Sequence, residues 1–230
     1  MISALLPVVT NQWSVISTFN YQFLNMKIIK SFIFPVLFLS IFNVSFAQGD
    51  KSLDKIEAAG KKHTAITGAL TQVRTTASKA KIDMAGTLSY TDKSQFAINY
   101  STPAGNRTVI NGQNMLLIAK GKTQKFNLQK NQSMQKLATF LLDAMGGRVR
   151  AIANANNADY TVSEAGGSIT VQMTARKKAA KGYSSIRLVY RQSDCVMTEM
   201  ETVEFNGVSN LYKMSGIKVN AAVDAAAFKF

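Results

Sequence analysis

Asp194, Glu199, Glu201 and Glu204 are the residues of this 230-residue chain best spaced for acid–base chemistry. Glu199 and Glu201 share one face of an alternating segment, and paired carboxylates act as acid and base when burial splits their pKa values. Their setting argues for a solvated face instead, because they stand on a surface-strand pattern in a chain rich in Lys. Cys195 and His63 are each the sole residue of their kind. That is too few for a structural zinc site, which takes about four ligands, and a lone Cys forms no intrachain disulfide. A nucleophilic Cys wants a histidine base, but His63 falls in a Lys-rich segment expected to be helical and exposed. No glycine-rich phosphate loop, nucleophile elbow or His-based metal motif occurs. The expectation is a non-enzyme without cofactor or metal; a hydrolase using Glu199, Glu201 or Asp194 is the reading it displaces.

The elements that would position any site are mostly strands. Lys51 to Val73 reads as a helix, with Leu53, Ile56, Ala59 and Gly60 on one side and lysines largely on the other. From Ala80 the period becomes two. Leu88 and Tyr90 oppose Thr87 and Ser89, and after the turn Thr91-Asp92-Lys93-Ser94, Phe96, Ile98 and Tyr100 alternate with Gln95, Ala97 and Asn99. Asn111-Gly112 is a strong hairpin signal, and Lys120-Gly121-Lys122 turns the chain again. A helical segment interrupts the meander: Met134, Leu137, Ala138, Leu141, Leu142 and Met145 recur at helical spacing, with Phe140 beside them, Ser133 as a fair N-cap and Gly146-Gly147 as the stop. After a mixed stretch, Arg148 to Ala158, strands resume and close with the hairpin around Asn206-Gly207. The fold class is α+β, mainly β: a large curved antiparallel sheet of about eight to eleven strands, with a helix before it and helices inserted in the middle.

One face of such a sheet must be covered. The inward candidates are Leu88, Tyr90, Phe96, Ile98 and Tyr100, then Met115 and Leu117, and later Ile169, Val171, Met173, Ile186 and Leu188. The cover is the inserted helix, through Met134, Leu137, Phe140, Leu141 and Met145. The chain has 10 Met, and methionine suits both irregular cores and surfaces that accept varied apolar partners. An ordinary core and a deformable cavity under a helical lid both fit this pattern.

The chain contains a second beginning at Met26. Met26-Lys27-Ile28-Ile29-Lys30, an apolar run from Ser31 to Ala47 and the ending Ser45-Phe46-Ala47 form a signal-peptide pattern, shorter than the about 20 residues of a membrane span. The expected layout is an upstream extension over 1–25, a signal peptide over 26–47 and a single domain over 48–230, exported to the periplasm. An uncleaved anchor helix is the alternative. Net charge is +14, from 27 Lys and Arg against 13 Asp and Glu. With export, and with basic residues scattered along the chain, no nucleic-acid partner is expected. The dense run Arg176-Lys177-Lys178-Ala179-Ala180-Lys181 reads as a solvated hairpin tip, or as a contact for anionic headgroups or an acidic partner.

Several segments in order resemble the periplasmic outer-membrane lipoprotein carrier family. They are Leu70-Thr71-Gln72-Val73, Gly86-Thr87-Leu88, Phe96 to Pro103, Val109 to Leu116 and the ending Val223-Asp224-Ala225-Ala226-Ala227-Phe228-Lys229-Phe230. The resemblance implies an unclosed β-barrel lidded by helices, whose cavity holds the acyl chains of lipoproteins; other lipids are also expected as partners. It also implies an inner-membrane release complex and an outer-membrane receptor; transient membrane-surface contact is expected from the basic run, and a monomer is expected. An envelope lipid-binding or sensor module on the same scaffold is the alternative. The family pattern usually carries an Arg where this chain has Asp92, and that Arg is thought to latch the lid, so Lys93 or Arg107 would have to substitute.

Overall fold

The computed structural model describes residues 44–230, with side chains from Gly49 onward. The expected extension and signal peptide lie outside the described residues, except that Val44 to Ala47 open the first helix. Helix α1 spans Val44–Gly60. Six strands follow: β1 Ala65–Thr75, β2 Lys81–Thr91, β3 Gln95–Thr102, β4 Ala104–Asn111, β5 Asn114–Ala119 and β6 Lys122–Asn127. Helices α2 (Gln132–Met145) and α3 (Val149–Ala155) interrupt the meander. It resumes as β7 Ala158–Ala165, β8 Ser168–Ala175, β9 Tyr183–Arg191, β10 Met197–Glu204 and β11 Ser209–Val219, and a 3-10 turn, Ala225–Phe228, ends the chain.

All eleven strands form one antiparallel sheet in the order β6-β5-β4-β3-β2-β1-β11-β10-β9-β8-β7. The pairing of β1 with β11 puts the first and last strands together in the centre and leaves β6 and β7, joined through α2 and α3, as edges, so the sheet does not close. Strict alternation makes one face apolar. Tyr90, Phe96, Ile110, Met115 and Phe126 stand opposite one another across β2 to β6, and Met173, Ile186 and Thr202 do so across β8 to β10. Helices α1, α2 and α3 pack on this face, where Leu53, Ile56, Leu141, Met145 and Ile152 join the core.

A smaller cluster lies on the opposite face. Ala97, Val109 and Leu116 are covered there by Phe228 of the closing motif. The Asp224 side chain caps this turn by accepting from the Ala226 N–H at 2.8 Å. Arg107 then donates to the carbonyls of Ala227 and Lys229, at 3.2 and 3.3 Å. The tail is thus a strap across β3 to β5.

Three expectations need correction. The helix stops at Gly60 rather than running to Val73, because Ile66, Thr67, Thr71, Val73 and Thr75 form a β-branched alternating run whose Ile66, Leu70 and Gln72 face inward. The N-cap of α2 is Asn131, whose Oδ1 accepts from the Met134 N–H at 3.1 Å, not Ser133. His63 is only 7 % exposed, since the chain dives into β1 immediately after it.

Candidate functional site: a closed apolar groove under helix α2

The groove is built from the inward side chains of the central strands. Leu70 of β1, Leu88 of β2, Phe96 and Ile98 of β3, and Met214 and Tyr212 of β11 form its floor. Met197 and Met200 of β10 continue it. Leu141 and Met145, one turn apart on α2 and so on one helix face, form the roof. The enclosed space is about 10 Å³, room for a single water at most. Ligand sites for drug-sized molecules run to roughly 300–1,000 Å³, so the space is far too small for one, and the roof side chains fill the groove.

All seventeen residues expected to face inward lie in or against the main core. Leu88, Phe96, Ile98, Leu141 and Met145 line the enclosed space. Tyr90, Met115, Phe140, Ile169, Val171, Met173, Ile186 and Leu188 are buried farther along the same face, and Tyr100, Leu117, Met134 and Leu137 pack at its margin. Sequence reading missed Leu70, Met197 and Tyr212 as lining residues; it places Met200 and Met214 in the sheet or lid without assigning them to the inner face. Leu70 lay inside the misassigned helix. Met197 and Met200 are three apart, which breaks the period of two; a bulge between Met197 and Glu199 turns both inward.

One end of the groove carries a polar network. Tyr100 donates its hydroxyl to Gln72 Oε1 at 2.5 Å, and Gln72 Nε2 donates to Asn210 Oδ1 at 3.0 Å. Gln72 is 5 % exposed. Burial pushes the Tyr100 hydroxyl up to about 12, so it stays protonated as a donor at neutral pH. Nearby Tyr183 is likewise pushed up to about 12 by burial, and its ring packs 5.2 Å from that of Phe140 on α2. The groove is therefore amphipathic along its length, apolar in the middle and polar at this end.

The other end anchors the C-terminus of α2. Tyr190 donates to the Ala144 carbonyl at 3.3 Å. Arg148 pairs with Asp143 at 2.5 Å and also hydrogen-bonds the Tyr90 hydroxyl of β2. Burial opposes the charge on Arg148, but Asp143 and Tyr90 together outweigh it and raise its pKa. Gly60 makes the tightest approach: a Cβ there would stand 2.1 Å from the Gly146 carbonyl oxygen. Gly147, at φ +68, turns the chain beside it. Arg150 of α3 donates to Glu57 of α1 at 2.9 Å. The charged contact between helices and sheet at this end thus comes from Arg148. Arg107 is committed to the tail strap and to Asn99, 2.6 Å away.

The groups considered for catalysis are placed differently. Arg187 bridges Glu199 and Glu201 across β9 and β10, and Lys213 also approaches Glu199 at 3.4 Å. Arg191 holds Asp194 at 2.6 Å and keeps its carboxyl below the usual range. His63 does come beside Asp194, whose backbone shares a hydrogen bond with it. The Cys195 thiol that follows is pushed up by burial, the opposite of an activated nucleophile. Among the described residues no cluster of His, Cys, Asp and Glu is arranged to hold a metal ion, and no helix is long and apolar enough to cross a membrane.

Comparison with known proteins matches residues 61–230 to the family model of the outer membrane lipoprotein carrier protein LolA. No curated protein sequence matches. Among solved structures, an uncharacterized conserved protein from Thermus thermophilus aligns at 10 % identity and TM-score 0.48, over 79 % of this chain and 93 % of that one. A LolA superfamily protein from Nitrosomonas europaea aligns at 8 % identity and TM-score 0.37, over 79 % and 97 %. A chain of the MucA/MucB complex of Pseudomonas aeruginosa aligns at 11 % and 0.46, over 78 % and 60 %.

Proposed function

The chain belongs to the outer membrane lipoprotein carrier protein family, and from that premise we propose that it is a periplasmic carrier, not an enzyme, which shields lipoprotein acyl chains in the groove under α2. The observation that supports this most is the occupancy of the groove by the protein's own lid. Leu141 and Met145 fill a channel floored by three methionines, and methionine adapts to varied apolar partners. Each acyl methylene buried is worth about 0.8 kcal/mol. An entering chain therefore replaces the lid's side chains on the floor with contacts of the same kind, and the exchange runs in either direction with little net gain.

The anchored C-terminal end of α2 acts as the pivot in this reading. Its helix–helix glycine contact, the Tyr190 bond and the Arg148 pair stay in place while the preceding turns of α2 lift, taking Phe140 off Tyr183 and Leu141 off the floor, and Met145, beside the pivot, yields by changing rotamer. The polar network of Tyr100, Gln72 and Asn210 then meets the polar head of the cargo, where ester and amide groups need partners on leaving water.

Depleting the protein in its host tests the carrier role. Accumulation of outer-membrane lipoproteins in the inner membrane is expected. Correct sorting after depletion would overturn carriage and leave an envelope lipid-binding or sensor module on the same scaffold.

A further inference from the structure

The geometry points to the β1–β2 end of the sheet as a docking face for an anionic lipid bilayer. In an antiparallel sheet the hairpin tips alternate between two ends. The β1–β2, β3–β4, β5–β6, β8–β9 and β10–β11 tips share one end, and the β2–β3, β4–β5, β7–β8 and β9–β10 tips share the other. Three of the five tips at the first end are basic and exposed. Lys79 and Lys81 flank the β1–β2 tip, Lys120 and Lys122 the β5–β6 tip, and Arg176, Lys177, Lys178 and Lys181 lie in the β8–β9 connection. The acidic residues beside these tips are Asp83, Asp159 and Glu204, and Asp159 is already paired with Arg176 at 2.7 Å. The opposite end is mixed, with Asp92 beside Lys93 and Asp194 held by Arg191.

An apolar side chain stands in the middle of this basic end. Ile82 is 40 % exposed, next to Lys81 and directly opposite Arg74 in the β1–β2 register. Charges spread along an arc of separate tips, with an exposed aliphatic group among them, fit a broad headgroup surface. A single acidic peptide would engage one groove. Basic residues close to an anionic leaflet contribute about 1 kcal/mol each, and an inserted apolar side chain adds to that. The polar network of Tyr100, Gln72 and Asn210 lies toward this same end of the groove, at the last residues of β1 and β3 and the first of β11. Docking there presents the polar end of the groove to the headgroup layer.

The purpose of this face rests on the proposed carrier role, but its measurement does not. The protein purified from cells expressing the full chain is floated with vesicles of phosphatidylcholine, or of equimolar phosphatidylcholine and phosphatidylglycerol. Binding is expected to the anionic vesicles only, and to fall as salt is raised. Replacing Lys177, Lys178 and Lys181 with Gln weakens it about a hundredfold, from three charges at the leaflet. Replacing Lys61, Lys62 and Lys93 at the other end removes the same charge and leaves binding near the original level. Equal losses in the two triple variants, or no binding to anionic vesicles, overturn the proposal; so does retention by an acidic polypeptide with no retention by vesicles. Uptake of a triacylated lipopeptide by the tip variants is expected to be unchanged, so loss of docking and failure of the acyl groove are read separately.

Discussion

Individual side chains at the groove's polar end do work that the apolar floor cannot. Gln72 joins Tyr100 to Asn210 on an inward face, and removing it orphans two polar groups at once. Gln72→Leu is therefore expected to destabilise the fold by about 1–3 kcal/mol, read by denaturant unfolding, despite adding an apolar residue to an apolar face. His63 gives a pH signature. Burial lowers its pKa below the ordinary 6.5, with Asp194 opposing only in part. The unfolded chain then takes up a proton that the folded chain resists, so stability is full above pH 7 and declines as pH falls through about 6.5 and below. Substituting His63 with Gln should flatten that slope in thermal unfolding scans between pH 7.5 and roughly 5. Asp194 contributes separately. Its pKa is lowered by Arg191, so its share is lost only in more acidic solution, as pH falls through that depressed value.

At the level of elements, α2 competes with the ligand it is proposed to cover. Leu141→Ala should cost the ligand-free protein about 2–5 kcal/mol, while raising affinity for a triacylated lipopeptide because less lid is displaced. Parallel unfolding and binding titrations check both signs, and weakened binding would argue that the lid grips cargo instead of yielding to it. Gly60 offers a second test. Ala is favoured over Gly in a helix by roughly 1 kcal/mol, yet a Cβ there meets the Gly146 carbonyl oxygen. Gly60→Ala is expected to lower stability by about 1–3 kcal/mol, measured the same way. The elements were legible in sequence wherever one period ran uninterrupted. β3, β8, β9 and α2 followed from alternation or helical spacing alone, and Asn111-Gly112 fixed the β4–β5 hairpin. Where two periods overlap the pattern misleads. Leu53, Ile56, Ala59 and Gly60 are helical, and Ile66 and Leu70 remain four apart after the chain has become a strand. The bulge at Met197 hid two floor residues for a related reason: local backbone irregularity reassigns faces without leaving a composition signal. The contact of Arg148 with Tyr90 joins residues distant in sequence, which no local pattern marks.

Across the whole molecule, an unclosed sheet with a collapsed groove is a compromise between two solvents. A permanently open groove would expose a large apolar patch to water, a liability for any soluble protein. A groove filled by immovable core would take up nothing. In the proposed carrier, seating α2's own side chains on a methionine-rich floor avoids both, and the tail strap of Phe228 and Arg107 holds β3 to β5 from behind. The groove's ability to exchange lid for acyl chain is the central claim, and native mass spectrometry tests it most directly. The purified protein is mixed with a triacylated lipopeptide or with the same peptide lacking its acyl chains. One bound lipopeptide per chain, and no binding of the unacylated peptide, is the predicted result. A protein that unfolds cooperatively, and so is folded, yet binds neither peptide would mean that Leu141 and Met145 are ordinary core.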